Sequence, residues 1–182
     1  MGVIQMIMNK IYFAGEIPEK LLVRFIGVCN SVYIGEKVSS AMQLIIECGT
    51  KSNVYIGDGS TFHDTHIDAS FGDIKIGNDC MFSFSVYVRN TDSHHIFNKR
   101  DGRRINYTKN IQIGDHVWVG QNAILLGGVQ IDSGSIVGAG AVTSGHFPEN
   151  AVIAGNPARV IRENVVWSRE DTYLYDKDHY ED

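Results

Sequence analysis

The sequence predicts an all-β chain folded as a parallel β-helix, and three observations carry that prediction. A period of six residues runs through much of the chain, with a branched apolar residue at its first place. The fifth place is small or β-branched, and glycine recurs near the bends. Six residues match neither the 3.6-residue period of an α-helix nor the two-residue alternation of an amphipathic strand. They suit a coil with one short strand per period and a bend after it.

The clearest periods are five in succession, "IGDHVW", "VGQNAI", "LLGGVQ", "IDSGSI" and "VGAGAV", from residue 113 to 142. Their first places hold Ile113, Val119, Leu125, Ile131 and Val137, and their fifth places hold Val117, Ala123, Val129, Ser135 and Ala141. Three periods close one triangular coil, and coils stack about 4.8 Å apart through parallel backbone pairing. Each coil then contacts mainly its two neighbours, as in other solenoid proteins.

Fainter periods come earlier, at 28–51, 56–67 and 76–93. We therefore expect an N-terminal cap or first strands over 1–27 and a β-helix domain over 28–162. A short amphipathic helix and tail are expected over 163–182, with packing residues Val165, Trp167, Tyr173 and Leu174.

The stretch "NTDSHHIFNKR" interrupts the periods, and residues 90–110 are expected to leave the body as a loop. Asp92 and His94 are two residues apart, so in an extended segment their side chains share one face. A carboxylate beside an imidazole can fix its tautomer and stabilise its charged form. Histidine is also a suitable general base near neutral pH. The pattern therefore predicts Asp92 and His94 as catalytic residues with His95 facing the other way, although an ordinary solvated loop has similar polarity.

Composition narrows the class of protein. The net charge of −5 over 182 residues argues against binding to a nucleic-acid backbone, which needs a basic surface. The apolar runs are too short to span a bilayer, and the first residues lack the features of a signal peptide. Cys29, Cys48 and Cys80 are widely spaced and form no CxxC motif. We expect free thiols and a cytoplasmic location.

The motifs "TDSH" at 91–94, "IGDHVWVG" at 113–120 and "GNPARVIR" at 155–162 resemble the hexapeptide-repeat acyltransferases. The resemblance is to the galactoside and maltose O-acetyltransferases and to those of capsule and lipopolysaccharide. It implies a left-handed β-helix, whereas general connection rules favour right-handed crossovers. It also implies a homotrimer that transfers acetyl from acetyl-CoA directly to a sugar hydroxyl, with no metal required.

The same resemblance assigns roles to single residues. It makes His94 the general base, with the backbone N–H of Gln121 facing the oxyanion. Trp118 and His95 become contacts to CoA or the acceptor. The residues expected to bind CoA are Gln121, Ala139, Ser144, Arg159 and Arg162. One departure is that Ser144-Gly145 stands where relatives usually have Thr-Lys, which removes an expected phosphate contact.

Three alternatives stay open at this point. The chain could acylate the amine of an amino sugar, or it could be a β-helix scaffold without catalysis. The same fold also hosts γ-class carbonic anhydrases, which bind zinc through three histidines. His63, His66 and His116 lack the H-x-x-x-x-H spacing of those enzymes, so we expect no metal site. The ring of His116, at a corner, is expected to lie in solvent.

Overall fold

A computed structural model of the chain describes residues 8–170, which contain eighteen strands and no helix. Seven strands form one flat side, called here the first face. In stacking order they are β1 (Lys10–Phe13), β3 (Ser31–Ile34), β5 (Asn53–Ile56), β7 (Asp73–Ile76), β10 (Ile111–Ile113), β13 (Gln130–Ile131) and β16 (His146–Phe147).

The other eleven strands line the two remaining sides. The second face holds β8 (Met81–Phe82), β11 (Trp118–Val119), β14 (Ile136–Val137), β17 (Val152–Gly155) and β18 (Ala158–Arg162). The third face holds β2 (Leu21–Phe25), β4 (Ser39–Cys48), β6 (Thr61–Ala69), β9 (Val86–Arg89), β12 (Ile124–Leu126) and β15 (Val142–Thr143). The start of β6 pairs with β8 and its end with β9, so this strand bends round the corner between the two faces.

The register of the strands explains the six-residue period. All the pairings are parallel except that of β17 with β18, which closes the stack. On the first face Ile76 pairs with Ile113, and Ile113 pairs with Ile131, so equivalent residues of successive coils lie above one another. The first-place residues of the five clearest periods are at most 2% exposed, and they fill the interior. The predicted left-handed parallel β-helix is confirmed, with about six turns.

Polar side chains hold the coils together at the corner between the first and second faces. Asp58 accepts a hydrogen bond from the backbone N–H of Glu36 at 2.8 Å. Asn78 and Asp115 repeat the contact in the next two coils, at 2.9 and 2.7 Å. These three side chains thereby pair corner N–H groups that lie outside the strand ladder and link each coil to the next.

The predicted C-terminal helix is wrong for the residues that can be checked. Residues 163–170 contain no helix, while Tyr173 and Leu174 lie outside the described residues. A short isolated helix is marginal in water, so contacts with the body decide its conformation. Here the indole of Trp167 stacks on His116 at 4.0 Å between ring centroids, and Arg169 bonds to Asp79. At the other end, the segment 1–27 supplies β1 and β2, and residues 1–7 lie outside the described part.

Candidate active site

The loop over 90–110 leaves the body at the corner between the third and first faces, after β9, and returns into β10. It is a folded hairpin, because Phe97 pairs with Arg104 in antiparallel fashion. The N–H of Ile105 donates to the carbonyl of Ile96 at 2.9 Å, which adds a second rung. His94 and His95 therefore lie on a hydrogen-bonded hairpin rather than on an irregular loop.

Asn106 organises the base of this hairpin. Its side-chain amide donates to Asp92 Oδ2 at 3.0 Å and to the carbonyl oxygen of His94 at 2.7 Å. Its Oδ1 accepts from the N–H of Ile96 at 2.7 Å. One half-buried side chain thus ties both predicted catalytic residues to the far strand of the hairpin. Sequence reasoning missed it, because Asn106 lies outside every repeat.

The arrangement differs from the expected pairing of Asp92 with the imidazole of His94. The carboxylate of Asp92 faces Asn106 instead. The physical reason is Ser93, whose φ of 63° turns the chain between the two residues, so the same-face rule for extended segments does not apply. Arg89 Nη2 holds this turn by donating to Ser93 Oγ at 2.7 Å.

Two clefts open beneath the loop. The smaller, of about 270 Å³, brings Asp92 together with Ser144 and also includes Asn106, Lys109 and Leu126. The larger, of about 500 Å³, is lined by His95, Ser93, Arg104, Tyr107, Glu47 and Asp68, among others. The side chain of His94 is exposed and lines neither of these two clefts. His94 is therefore placed to meet a molecule or subunit that approaches from outside the chain.

Both carboxylates of the larger cleft have cationic or hydroxyl partners. Glu47 pairs with Arg24 and lies 2.9 Å from Nε2 of His66. Asp68 lies 3.6 Å from Arg89. It also accepts a hydrogen bond from the hydroxyl of Tyr87 at 3.4 Å. Burial and the charge of Asp68 raise the pKa of that hydroxyl, so it stays a donor at neutral pH. The cleft therefore contains both hydrogen-bond donors and acceptors, and its two carboxylates are paired with donors.

Three of the remaining predicted residues lie at or just before the corner between the second and third faces. Trp118 stands on β11 with 38% of its surface exposed. Gln121 and Ala139 follow in successive coils, where Gly140 N–H donates to the carbonyl of Gln121 at 2.8 Å. Within residues 8–170, no acceptor takes a hydrogen bond from the N–H of Gln121 or of Ala139. Two stacked donors are thus available to a ligand.

The two arginines lie on β18, the last strand of the second face. Arg159 pairs with Ala154, the residue after Ile153, whose carbonyl accepts from Gly138 N–H at 2.8 Å. Arg162 pairs with Val152 at the other end of β17. Arg159 is consequently two strands above the level of Ala139, with β17 between them, whereas Arg162 is farther from that corner.

These two groups of residues lie on opposite edges of the third face. The chain crosses that face from Gln121 to Leu126, beside the loop corner. At about 3.3 Å per residue, five residues span roughly 16 Å. On one chain, the loop residues and the corner N–H groups are therefore separated by the width of the third face.

His116 is the residue whose environment differs most from expectation. Its ring does not point freely into solvent but stacks on Trp167, with 9° between the two ring planes. Nδ1 lies 2.6 Å from Asp79 Oδ2, and Nε2 lies 3.0 Å from the carbonyl oxygen of Trp167. No sequence signal linked residues fifty-one positions apart.

The cysteines supply no nucleophile near the loop. All three thiols are free, with Cys29 exposed and Cys48 and Cys80 buried. Burial raises the pKa of the Cys48 and Cys80 thiols to about 11, so both stay protonated and unreactive at neutral pH. Across residues 8–170 no cluster of three or more His, Cys, Asp or Glu side chains could hold a metal ion. That same range contains no helix suited to crossing a membrane.

The chain is similar to hexapeptide-repeat transferases. The model of the family "Bacterial transferase hexapeptide (six repeats)" matches residues 110–145. The polysialic acid O-acetyltransferase of Neisseria meningitidis is 36% identical over 180 residues, covering 86% of this chain and 82% of that protein. The chain belongs to the hexapeptide-repeat O-acetyltransferase family and is an acyltransferase.

Solved structures of acetyltransferases are also similar to this fold. The polySia-specific acetyltransferase NeuO superposes with a TM-score of 0.78 and 32% identity, covering 90% of this chain and 74% of that one. A galactoside acetyltransferase in complex with coenzyme A gives a TM-score of 0.52 at 25% identity, covering 85% of this chain and 64% of that one.

Proposed function

We propose that the protein transfers an acetyl group from acetyl-CoA to a sugar hydroxyl, on a surface-polysaccharide unit or a small glycoside. The observation that carries this proposal is the braced loop, in which Asn106 fixes the backbone of His94 while its ring stays free. A similar solved enzyme, a galactoside acetyltransferase, is described in complex with coenzyme A. The N. meningitidis relative is named for O-acetylation of a polysaccharide.

The chemistry is a direct transfer. The imidazole of His94 takes the proton of the acceptor hydroxyl while its oxygen forms a bond to the thioester carbonyl carbon. The N–H of Gln121 donates to the carbonyl oxygen as it becomes negative. When the intermediate collapses, the carbon–sulfur bond breaks, and the leaving thiolate of CoA takes the proton back from His94. A general base of this kind contributes about 10²- to 10⁴-fold to the rate.

CoA itself is held by groups at two places. The N–H of Ala139 is a donor for the amides of the pantetheine arm, and Ser144 lines the smaller cleft beside Asp92. Arg159 and Arg162 offer guanidinium groups to the CoA phosphates, because charge-assisted bonds suit phosphate oxygens. Trp118 covers the CoA arm or the acceptor, and His95 meets the acceptor from the larger cleft. No step needs a metal.

The active enzyme is a homotrimer with each site between two subunits. The separation of the loop from the corner N–H groups, roughly 16 Å along one chain, supports this assembly. A neighbouring copy can bring its corner to the loop of the first. The test mixes His94→Ala subunits with Trp118→Ala subunits. If sites are shared, mixed trimers regain activity that neither variant has alone; if each chain is complete, mixing adds nothing.

The activity belongs in the cytoplasm, where acetyl-CoA is made and where free thiols such as Cys29 persist. Fractionation of cells that express the full chain tests this placement. Recovery with cytoplasmic enzymes supports it, and recovery outside the inner membrane contradicts it.

Thiol release from acetyl-CoA, measured against a panel of neutral, acidic and amino sugars, tests the reaction. We expect turnover with a hydroxyl acceptor, and a fall of about 10²-fold or more in His94→Ala. His95→Ala is the matched control and should change the acceptor KM more than kcat. Preference for an amine over its hydroxyl analogue would instead indicate N-acylation, and absence of CoA binding would indicate a scaffold.

A further inference from the structure

The segment 163–170, called here the C-terminal strap, runs along the corner between the first and second faces and is held by contacts along its length. At its start the N–H of Val165 donates to the carbonyl of Asn150 at 2.9 Å. At its centre Trp167 Nε1 donates to the carbonyl of His116 at 3.0 Å, while the two rings stack. The strap is therefore docked by specific polar contacts rather than by apolar packing alone.

Arg169 fastens the far end of the strap. Its guanidinium donates to Asp79 Oδ1 at 2.7 Å and to Thr61 Oγ1 at 3.0 Å. It also donates to the backbone carbonyls of Cys80 at 2.9 Å and Asp79 at 3.1 Å. A planar guanidinium with several donors suits such a cluster of acceptors.

The ring of His116 joins the strap to the body. Nδ1 faces a carboxylate oxygen of Asp79, and Nε2 faces the carbonyl oxygen of Trp167, so both partners can only accept. An N–H on Nε2 ties the ring to the strap, and an N–H on Nδ1 ties it to Asp79.

Two charged groups pack against the ring of His116. Asp79 approaches from the turn before β8, and Arg169 approaches from the strap. Asp115 is the neighbour of His116 in sequence, but its Oδ1 accepts from the N–H groups of Asn78. One carboxylate and one guanidinium therefore face the ring cluster, and the carboxylate is the group in direct contact.

The strap reaches the proposed substrate surface through Trp118. The rings of Trp118 and Trp167 lie 6.0 Å apart between centroids, tilted by 45°. We infer that Trp167 is a positioning residue that holds the indole of Trp118 in its working orientation, and that the stacked, hydrogen-bonded ring of His116 holds Trp167. This inference rests on the proposed contact of Trp118 with CoA or acceptor.

Tryptophan fluorescence tests the strap without any assay of turnover. The chain has two tryptophans, so Trp118→Phe leaves Trp167 as the single indole. Trp167 is half-buried against His116, so its emission should lie to the blue of that of a fully exposed indole. Adding His116→Ala removes the stacked ring and should shift the emission of Trp167 to the red. An unshifted spectrum overturns the inference.

Kinetics then test the positioning role. Trp167→Ala should lower kcat/KM by about tenfold to a hundredfold, because small misplacements of contact groups have effects of that size. Trp167→Phe, which keeps the stacked ring, should restore most of the loss. Val166, 90% exposed in the same strap, supplies the control Val166→Ala, which should leave the kinetics unchanged. Wild-type kinetics in Trp167→Ala refute the positioning role.

The two hypotheses fail in different ways. If Trp118→Ala leaves kcat and KM unchanged, the proposed contact of Trp118 is wrong, whatever the fluorescence shows. If Trp118→Ala is impaired while Trp167→Ala is not, the contact stands and the positioning by the strap is refuted.

Discussion

Replacement of Asn106 gives the sharpest test of how the loop works. Asn106→Ala removes a long hydrogen bond from Arg104 Nε at 3.4 Å and three shorter ones, to Asp92, to the carbonyl of His94 and from the N–H of Ile96. Each of the three shorter bonds contributes about 0.5–1.5 kcal/mol net, so the working conformation of the loop loses roughly 1.5–4.5 kcal/mol from them. Since about 1.4 kcal/mol corresponds to tenfold, kcat should fall by between about tenfold and a thousandfold.

The assay is thiol release from acetyl-CoA at saturating acceptor, paired with a thermal melt. The melting temperature should change little, because the loop lies outside the stacked coils. Asn98→Ala is the matched control: this asparagine caps the hairpin turn by accepting from Arg100 N–H at 2.8 Å, away from His94. It should keep nearly full turnover. If Asn106→Ala retains kcat within twofold of wild type, the reasoning about the hairpin is wrong.

Three further predictions concern the body and the strap. Phe82→Ala removes a ring that is 1% exposed and stacked on Phe62 at 4.8 Å; it should lower the free energy of unfolding by about 3–5 kcal/mol in urea titration, and a loss below about 1 kcal/mol would contradict the packing. A thiol reagent at pH 8 should label Cys29 quickly and the two buried cysteines only after unfolding, so fast labelling of three thiols in the native protein would refute their burial. Partial burial opposes the ionisation of Asp79, but hydrogen bonds from His116 and Arg169 and their charges outweigh it and lower the pKa of the carboxyl below 3.8. The contribution of the Asp79 carboxylate to strap docking is therefore present above pH 3.8 and lost as the pH falls below it. A red shift of Trp167 emission in acid would report that loss. Asp79→Asn should show the same shift at neutral pH, and an unshifted spectrum would contradict the contact of Asp79 with the strap.

The repeat made the body predictable from sequence. Apolar residues such as Ile113 and Leu125 occupy the first place of each six-residue period. Because successive coils stack in register, these residues lie above one another in the interior. The motif ahead of "VWVG" likewise located the loop and singled out His94 as the hypothesis for the base. Both inferences depend on spacing along the chain, which a sequence displays.

The parts that failed depend on contacts that a sequence does not display. The left-handed φ of Ser93 turned Asp92 away from the imidazole, and Asn106 enters from twelve residues beyond His94. The strap has an amphipathic pattern, yet the stacking of Trp167 on His116 selected an extended conformation. Local propensity gave no account of these long-range polar contacts.

The central claim is direct transfer to a hydroxyl with His94 as the base. A rapid-quench single turnover with labelled acetyl-CoA and a good sugar acceptor tests it, because the label can be followed in donor, protein and product. Label should pass to an ester on the sugar without appearing on the protein, and His94→Ala should slow that step by about 10²- to 10⁴-fold. Transient label on the protein, or an unchanged rate in His94→Ala, would contradict the claim.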